Sequence, residues 1–269
     1  MGRKIGIIAG SGEFPFLVLK EARKQGYSPV VAGIYGEAES SLKGKAETFE
    51  WIDVGGLEHL LSYFRDNNVK EAVFAGKVDP RSIYRKEKFD TISLRVLDRI
   101  QERTPEAVIK AIIDFMAEEG IQILDPSVFI PFSYCEAGIL TETGLSPAVE
   151  EDVAFGWRIA RSIADLDVGQ TVIVKDKTVV AVEGIEGTDE AIKRGGRLAG
   201  EGTVVVKVSR TSQDPRVDLP AVGLNTVESL VQARSRALCL EAQKIPFFQR
   251  KEAVSLADAN KISIVAKKS

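Results

Sequence analysis

The stretch SRTSQDPRVDLPAVG, from Ser209 to Gly223, holds two carboxylates (Asp214, Asp218), two arginines (Arg210, Arg216) and an amide (Gln213). Carboxylates beside guanidinium groups can move a proton, hold a divalent cation or receive a phosphate. Turn-formers and charges this dense, directly after the apolar run Thr203–Val208, describe a loop carrying chemistry on a rigid support. The plainer alternative is a solvated loop whose aspartates and arginines pair with one another. A second string weighs against it. In AVEGIEGTDEAIKRGG, Ala181 to Gly196, an apolar strand runs through Gly184 and Gly187 into a helix, and Glu183, Glu186, Asp189 and Glu190 fall within eight residues. Capping by Thr188 or Asp189 would explain those two residues. It leaves the acidic crowding unexplained on a chain of net charge −3. Such repulsion is tolerated when a cation or basic side chains sit among the acids, and Lys207, Arg210 and Arg216 are the basic candidates.

A chain of 269 residues can bury a sizeable core and divide into two domains. The first third alternates strand and helix: strand Lys4–Ala9, helix Pro15–Gln25, strands Pro29–Ile34 and Thr48–Val54, helix Leu57–Asn67 and strand Ala72–Ala75. That βαβ rhythm predicts a parallel, Rossmann-like sheet. Its first turn carries Gly6, Gly10 and Gly12 ahead of a helix, where a backbone can approach phosphate or ribose. The spacing G-x-x-x-G-x-G is a weak dinucleotide motif, because strand Pro29–Ile34 ends without the acid that grips an adenine ribose. The first acid is Glu37, beyond Gly36. At the end of strand Ala72–Ala75, Lys77 and Arg81 stand where open α/β sheets collect anions.

Helices near Ile92–Gln101 and Pro105–Glu119 and a short strand Ile121–Leu124 follow. Residues 131–147 lack a sustained period and are read as a packed connector between a domain at 1–130 and one at 148–269. The second domain restarts with helix Ala148–Leu166 and a hairpin, Thr171–Lys175 and Thr178–Val182, turning at Asp176-Lys177. Helix Glu190–Leu198, strand Thr203–Val208, helix Asn225–Arg236 and strands Ala237–Ala242 and Ile262–Ala266 complete it. The fold class is α/β, with a Rossmann-like N-terminal domain and a mixed C-terminal α/β domain carrying the acidic loops.

Composition narrows the chemistry. Lys and Arg total 36 against 39 Asp and Glu, so there is no basic field for nucleic acid. No apolar run approaches the ~20 residues of a membrane span, and the start MGRKIGIIAGSG is too glycine-broken for a signal peptide. Two cysteines, Cys135 and Cys239, fit a reducing cytosol. The single histidine, His59, lies in a helical stretch, which leaves acid–base and metal chemistry to carboxylates, lysines or water. An oxygen-rich site of that kind favours Mg²⁺ or Mn²⁺ over Zn²⁺.

IGIIAGSGEFP, FAGKV, LDVGQTVIV, AVEGIEGTDEAIKRGG and QDPRVDLPAVG occur here in that order. Together they resemble the UDP-2,3-diacylglucosamine pyrophosphatases of the lipid A pathway, of the metal-dependent type distinct from the calcineurin-like phosphoesterases. The resemblance runs from Lys4 to about Ala266. It implies a two-domain homodimer that splits UDP-2,3-diacylglucosamine into UMP and 2,3-diacylglucosamine 1-phosphate, using a divalent metal. It implies that water attacks the phosphorus on the sugar side, and it puts the family's essential aspartate on Asp218. Where the family carries a pair of acids at a helix head, this chain has Arg103-Thr104-Pro105-Glu106.

The residues suit that reaction. A pyrophosphate diester is a double anion, and Lys77, Lys207 and Arg216 can neutralise the leaving phosphate. Asp218 would hold the metal or take the proton of water, with Asp214 and Asp189 as further metal candidates. Gly10 and Gly12 would admit the nucleotide, and Gly187, Thr188 and Gln213 would contact the substrate. The resemblance also implies a lipid-linked sugar nucleotide as partner, met by a cytoplasmic protein in transient contact with the inner membrane surface. Two rivals use the same features: a non-catalytic sugar-nucleotide sensor, and an NAD(P)-dependent oxidoreductase built on the glycine turn.

Overall fold

The computed structural model describes residues 2–79, 89–101, 104–212, 214–217 and 219–269. The chain forms two compact units, Met1–Pro131 with Asp214–Asp218, and Phe132–Gln213 with Leu219–Ser269.

The first unit is built on strands β1 (Arg3–Ala9), β2 (Tyr27–Ile34), β3 (Thr48–Ile52), β4 (Glu71–Ala75) and β5 (Gln122–Ile123). They pair in the order β3-β2-β1-β4-β5, every pair parallel. Ile5, Ile7, Ile8, Val30, Val31 and Ala32 are buried on consecutive positions, as strands covered on both faces require. The helices are α1 (Phe14–Lys24), α2 (Leu57–Asp66), α3 (Thr91–Asp98) and α4 (Pro105–Glu118). Helix α2 buries Leu57, Leu60, Leu61 and Phe64, the stripe an amphipathic helix turns to a core. The strand order reverses between β1 and β4, so their carboxyl ends form the crevice where this architecture binds ligands.

The second unit contains β6 (Gly138–Ile139), α5 (Pro147–Asp165), β7 (Thr171–Lys175), β8 (Thr178–Val182), α6 (Thr188–Ala199), β9 (Val204–Lys207), α7 (Leu224–Gln232), β10 (Ala237–Glu241), α8 (Arg250–Ala259) and β11 (Ser263–Lys267). Its sheet runs β6-β11-β10-β9-β7-β8, with β9, β10 and β11 parallel and the rest antiparallel. Period-two alternation separates its faces. Val172, Val174, Val204, Val206 and Cys239 pack with Val149, Val153, Ala160 and Ala164 of α5. Ile173, Val205, Leu238, Leu240 and Ile264 pack with Ala191, Ile192, Val227, Leu230, Ala253 and Ala257 of α6, α7 and α8. One helix thus covers one face and three cover the other.

The hairpin turns at Asp176 and Lys177, both with positive φ (49° and 55°), as a two-residue turn between twisted strands demands. Buried Asp152 of α5 accepts hydrogen bonds from both turn amides, at 3.0 and 2.6 Å. Residues 131–147, read as a connector, fall almost wholly in the second unit, where Gly138–Ile139 pairs with β11. The periodicity also gave no warning of α8. Its buried side is only Ala253 and Ala257, too small an apolar stripe to announce a helix.

Candidate active site

In the second unit the carboxyl ends of β8 and β9 and the first residues of β7 lie side by side, because β7 runs antiparallel to both neighbours. Lys207 ends β9 and is 4% exposed. Its ammonium donates to Thr188 Oγ1 at 2.7 Å and to Thr171 Oγ1 at 3.4 Å, and lies 3.8 Å from Glu183 Oε2. Glu183 accepts from the Thr188 hydroxyl at 2.7 Å and from the Gln170 amide at 3.2 Å. Burial pushes the Glu183 carboxyl up, but Lys207 and these donors outweigh it and hold the group below its ordinary value. Lys207 and a charged Glu183 therefore share one largely buried corner, beside the amino end of α6.

Neither Thr188 nor Asp189 caps that helix. The cap position is Gly187, at φ 82°, a conformation that favours glycine, and no side chain bonds the first-turn amides there. Thr188 is instead the bridge between Glu183 and Lys207. Asp189 stands in the first turn with a buried Oδ1 that has no hydrogen-bond partner. The acidic crowding is resolved locally: Arg194 pairs with Glu186 and also donates to Val182 O at 2.7 Å, and Lys193 pairs with Glu190 at 2.9 Å. Arg194, Thr171 and Gln170 were not visible as site residues in the sequence. All three lie inside the strings LDVGQTVIV and AVEGIEGTDEAIKRGG, but no spacing within those strings marks them as partners of Glu183, Glu186 and Lys207.

The loop after β9 departs from a clamped root. Arg210 pairs with Asp167 at 2.7 Å, an acid outside the 183–190 string. Past it, Asp214 and Arg216 face each other, with Arg216 donating to both carboxylate oxygens at 2.8–3.2 Å. That bond holds the Asp214 carboxyl below and the Arg216 guanidinium above their ordinary ranges. For this pair the plainer reading of the loop holds. Gln213 and Asp218 lie outside the described residues, as does Arg81.

In the first unit the glycine turn is drawn onto the end of β4. Gly10 N donates to Ala75 O at 2.8 Å and Ser11 N to Lys77 O at 2.7 Å. A Cβ on Gly10 would lie 2.3 Å from Lys77 O, so backbone packing alone requires glycine there. At Gly12 a Cβ would meet nothing within 4 Å, and the φ of 91° is what favours glycine. With the amides of Gly10 and Ser11 spent on β4, an anion would approach at Gly12 and the first turn of α1. The Lys77 side chain is exposed at the same strand end. Glu37, the first acid after β2, accepts from Asp79 N at 3.2 Å.

A cavity of about 270 Å³ lies at the other end of the second sheet, lined by Gly202, Arg234, Arg236, Lys261 and Ile262 among others. Arg234 and Lys261 follow the last turns of α7 and α8, where cations complement unpaired carbonyls, so its charge has a structural cause.

Along the chain, models of two consecutive domains match: the LpxI N-terminal domain over residues 4–132 and the LpxI C-terminal domain over residues 136–265. The chain belongs to the LpxI family. The curated UDP-2,3-diacylglucosamine pyrophosphatase LpxI of Caulobacter vibrioides is 26% identical over 269 residues, covering 95% of this chain and 94% of that one. Among solved structures, the biotin carboxylase domain of a thermophilic 2-oxoglutarate carboxylase overlaps 70% of this chain and 36% of its own, at 13% identity and TM-score 0.28. A glycinamide-RNase-transformylase T from Mycobacterium tuberculosis overlaps 67% and 44%, at 11% identity and TM-score 0.24. Likeness that slight says nothing about this fold or its chemistry. LpxI membership sets aside the oxidoreductase reading of the glycine turn.

The described residues do not gather a metal site by themselves. They contain no group of three His, Cys, Asp or Glu able to hold an ion. Asp214 is committed to Arg216, and Asp189 offers one unpartnered oxygen.

Proposed function

We propose that this LpxI-family protein hydrolyses the pyrophosphate of UDP-2,3-diacylglucosamine in the lipid A pathway. One water is consumed, one P–O bond of the anhydride breaks, and UMP and 2,3-diacylglucosamine 1-phosphate leave. The observation that carries this reading is the match of both LpxI domains, in order, along nearly the whole chain. The site chemistry agrees with it. A dianionic pyrophosphate needs local cations, and the second unit places Lys207 beside the amino end of α6, where helix amides favour anions. Lys207, Thr188 and Gly187 are assigned to substrate binding there, and Gly12, Gly10, Lys77 and Arg216 in the first unit. Gln213 and Asp218 are assigned from their motif, Asp218 as the residue that activates water or holds a metal.

Turnover is proposed to need Mg²⁺ or Mn²⁺, which would polarise a phosphoryl oxygen when bound. Asp218 and Asp189 are the donors to test, ahead of Asp214. Phosphorus NMR of UDP-2,3-diacylglucosamine with the protein should show the two anhydride resonances replaced by two monoester resonances when Mg²⁺ is present. EDTA should stop the conversion, and excess Mg²⁺ should restore it. Full turnover under chelator would remove the metal from the proposal. An unchanged substrate spectrum with Mg²⁺ and Mn²⁺ alike would favour the non-catalytic sensor.

The finer points of partnership belong to the same proposal: a homodimer, cytoplasmic, touching the inner membrane surface only while it takes up lipid. No helix among the described residues is long and apolar enough to cross a membrane. The protein should remain in the supernatant when spun with substrate-free vesicles. Salt-resistant co-sedimentation would show an anchor instead.

A further inference from the structure

In the first unit an aromatic ring stands where a ribose-gripping acid would be expected. Tyr35 follows the last residue of β2 and keeps 63% of its surface exposed. Its backbone is fixed: Tyr35 N donates to Ile52 O at 2.8 Å, and Glu37 N and Ala38 N close the turn onto Ile34 O at 3.1 and 2.9 Å. Its ring is placed by an aromatic row on β3. Phe49 and Trp51 meet edge to face with centroids 4.8 Å apart, and Trp51 meets Tyr35 in the same way at 6.1 Å. Gly33 of β2 makes room for that row, since a Cβ there would lie 2.5 Å from Phe49 Cζ and 3.0 Å from Trp51 Cζ3. The segments that follow β1, β2 and β4 are also tied together. Ser11 N donates to Lys77 O at 2.7 Å, and Asp79 N donates to Glu37 Oε1 at 3.2 Å. Tyr35 therefore stands on a fixed rim, at the strand end next to the glycine turn.

Packing does not account for that exposure. A ring recruited to cover Trp51 would bury itself in doing so, whereas Tyr35 leaves most of its surface in water. In sheets of this topology the phosphates of a nucleotide lie at the glycine turn and first helix, and its nucleoside extends over the end of the neighbouring strand. We propose that Tyr35 is the platform on which the uracil ring of the substrate stacks, with the phosphates at Gly12 and the amino end of α1. The inference rests on the UDP-linked substrate assigned above and names the residue that holds its uridine end. Stacking uses the π face that every base carries, so it needs no acid to grip the ribose. That accounts for a β2 that runs out through Ile34-Tyr35-Gly36 without one. UMP and the intact substrate carry the same base, so Tyr35 acts in binding and leaves the chemical step alone.

The test is equilibrium binding of two probes to the full-length protein, followed by calorimetry or an NMR titration. UMP carries the base, and ribose 5-phosphate does not. Tyr35→Ala should weaken UMP by about tenfold, the size of one base–aromatic stack, and leave ribose 5-phosphate within about twofold of wild type. Tyr35→Phe and Tyr35→Trp keep a ring face and should bind UMP within about threefold of wild type. In turnover, Tyr35→Ala should raise KM about tenfold while kcat changes by less than about threefold. The side chain is exposed, so the variant should melt within a few degrees of wild type. Unchanged UMP affinity in a folded Tyr35→Ala protein overturns the proposal. Equal losses of both probes overturn it too, since they would report a damaged phosphate site, and so does wild-type protein that binds UMP no better than ribose 5-phosphate. Should Tyr35→Ala not fold, Tyr35→Leu, which keeps an apolar cover on Trp51 but has no ring face, carries the test with the same outcomes. Wild-type protein that binds UMP through Tyr35 yet leaves UDP-2,3-diacylglucosamine intact would overturn the assigned hydrolysis and keep the platform.

Discussion

Asp218→Ala is expected to lower kcat by about 10²–10⁴-fold, the range for removal of a group that moves a proton or activates water. The expectation comes from the motif RVDLP, which resembles the family's essential site. A loop carboxylate adds little to the core, so the variant should melt close to wild type. The measurement is initial rate at saturating substrate, with circular dichroism and a melting curve on the same preparation. Asp218→Asn should be nearly as slow, because an amide keeps the shape and loses the base. Wild-type rates in a folded Asp218→Ala protein would move the role elsewhere, to Asp189 before Asp214. Asp214 is already engaged by Arg216 on both oxygens, whereas Asp189 keeps one oxygen unpartnered.

Lys207→Met should be the most destabilising change in the candidate site. Lys207 and Glu183 are both largely buried, and removing one partner strands the other. Breaking such a pair costs about 3–5 kcal/mol, enough to unfold a marginal domain. Adding Glu183→Gln should recover part of the loss, since no charge is then left without a partner. Urea unfolding of the three variants at neutral pH measures this, and a Lys207→Met protein as stable as wild type would show that the corner is wet.

The same pair predicts a pH signature. In wild type the Glu183 carboxyl is held below its ordinary value of 4.5, so its contribution to stability is complete above that value. It is lost as the pH falls through the lower, folded value. Burial also pushes Glu241 up, but Arg161, Ser269 and the Ser209 amide outweigh it and leave that group lowered, with the same sign. In Lys207→Met, burial acts on Glu183 without its strongest opponent, and the carboxyl should titrate higher than in wild type. The stability gap between the two proteins should therefore be widest at neutral pH and should close as the pH falls from the variant's higher value to the lower value of wild type. A gap independent of pH would contradict the pairing.

The sequence by itself determined most of the elements, the parallel pairing of the first sheet and the hairpin of the second. Strand geometry puts alternate residues of TVIVK, VVVK and ALCLE on opposite faces, but both faces are buried and only the packing decides which meets α5 and which meets α6 to α8. Uninterrupted apolar runs in β1 and β2 announce a parallel sheet covered on both faces. Asp176-Lys177 was legible as a hairpin turn from the two flanking strand-like runs alone. These signals are local: each depends on spacings of a few residues. The weaker elements escaped for the same reason, α8 because alanines make a faint stripe and Gly138–Ile139 because two residues have no period.

Partners were another matter. The sequence marked Lys207, Arg210 and Arg216 as cations for the acidic string, and the folded chain assigns them three different acids. Arg216 takes Asp214, two residues away; Arg210 takes Asp167; and Lys207 reaches the string, at Glu183. Arg161 and Glu241, 80 positions apart, gave no sign of meeting. Lys207 meets Glu183 because β9 lies beside β7 and β7 beside β8, which brings three strand ends to one edge. That order is set by how α5 on one face and α6 to α8 on the other fill the two cores. Packing of this kind joins residues far apart in the chain, and no local spacing encodes which strand ends become neighbours.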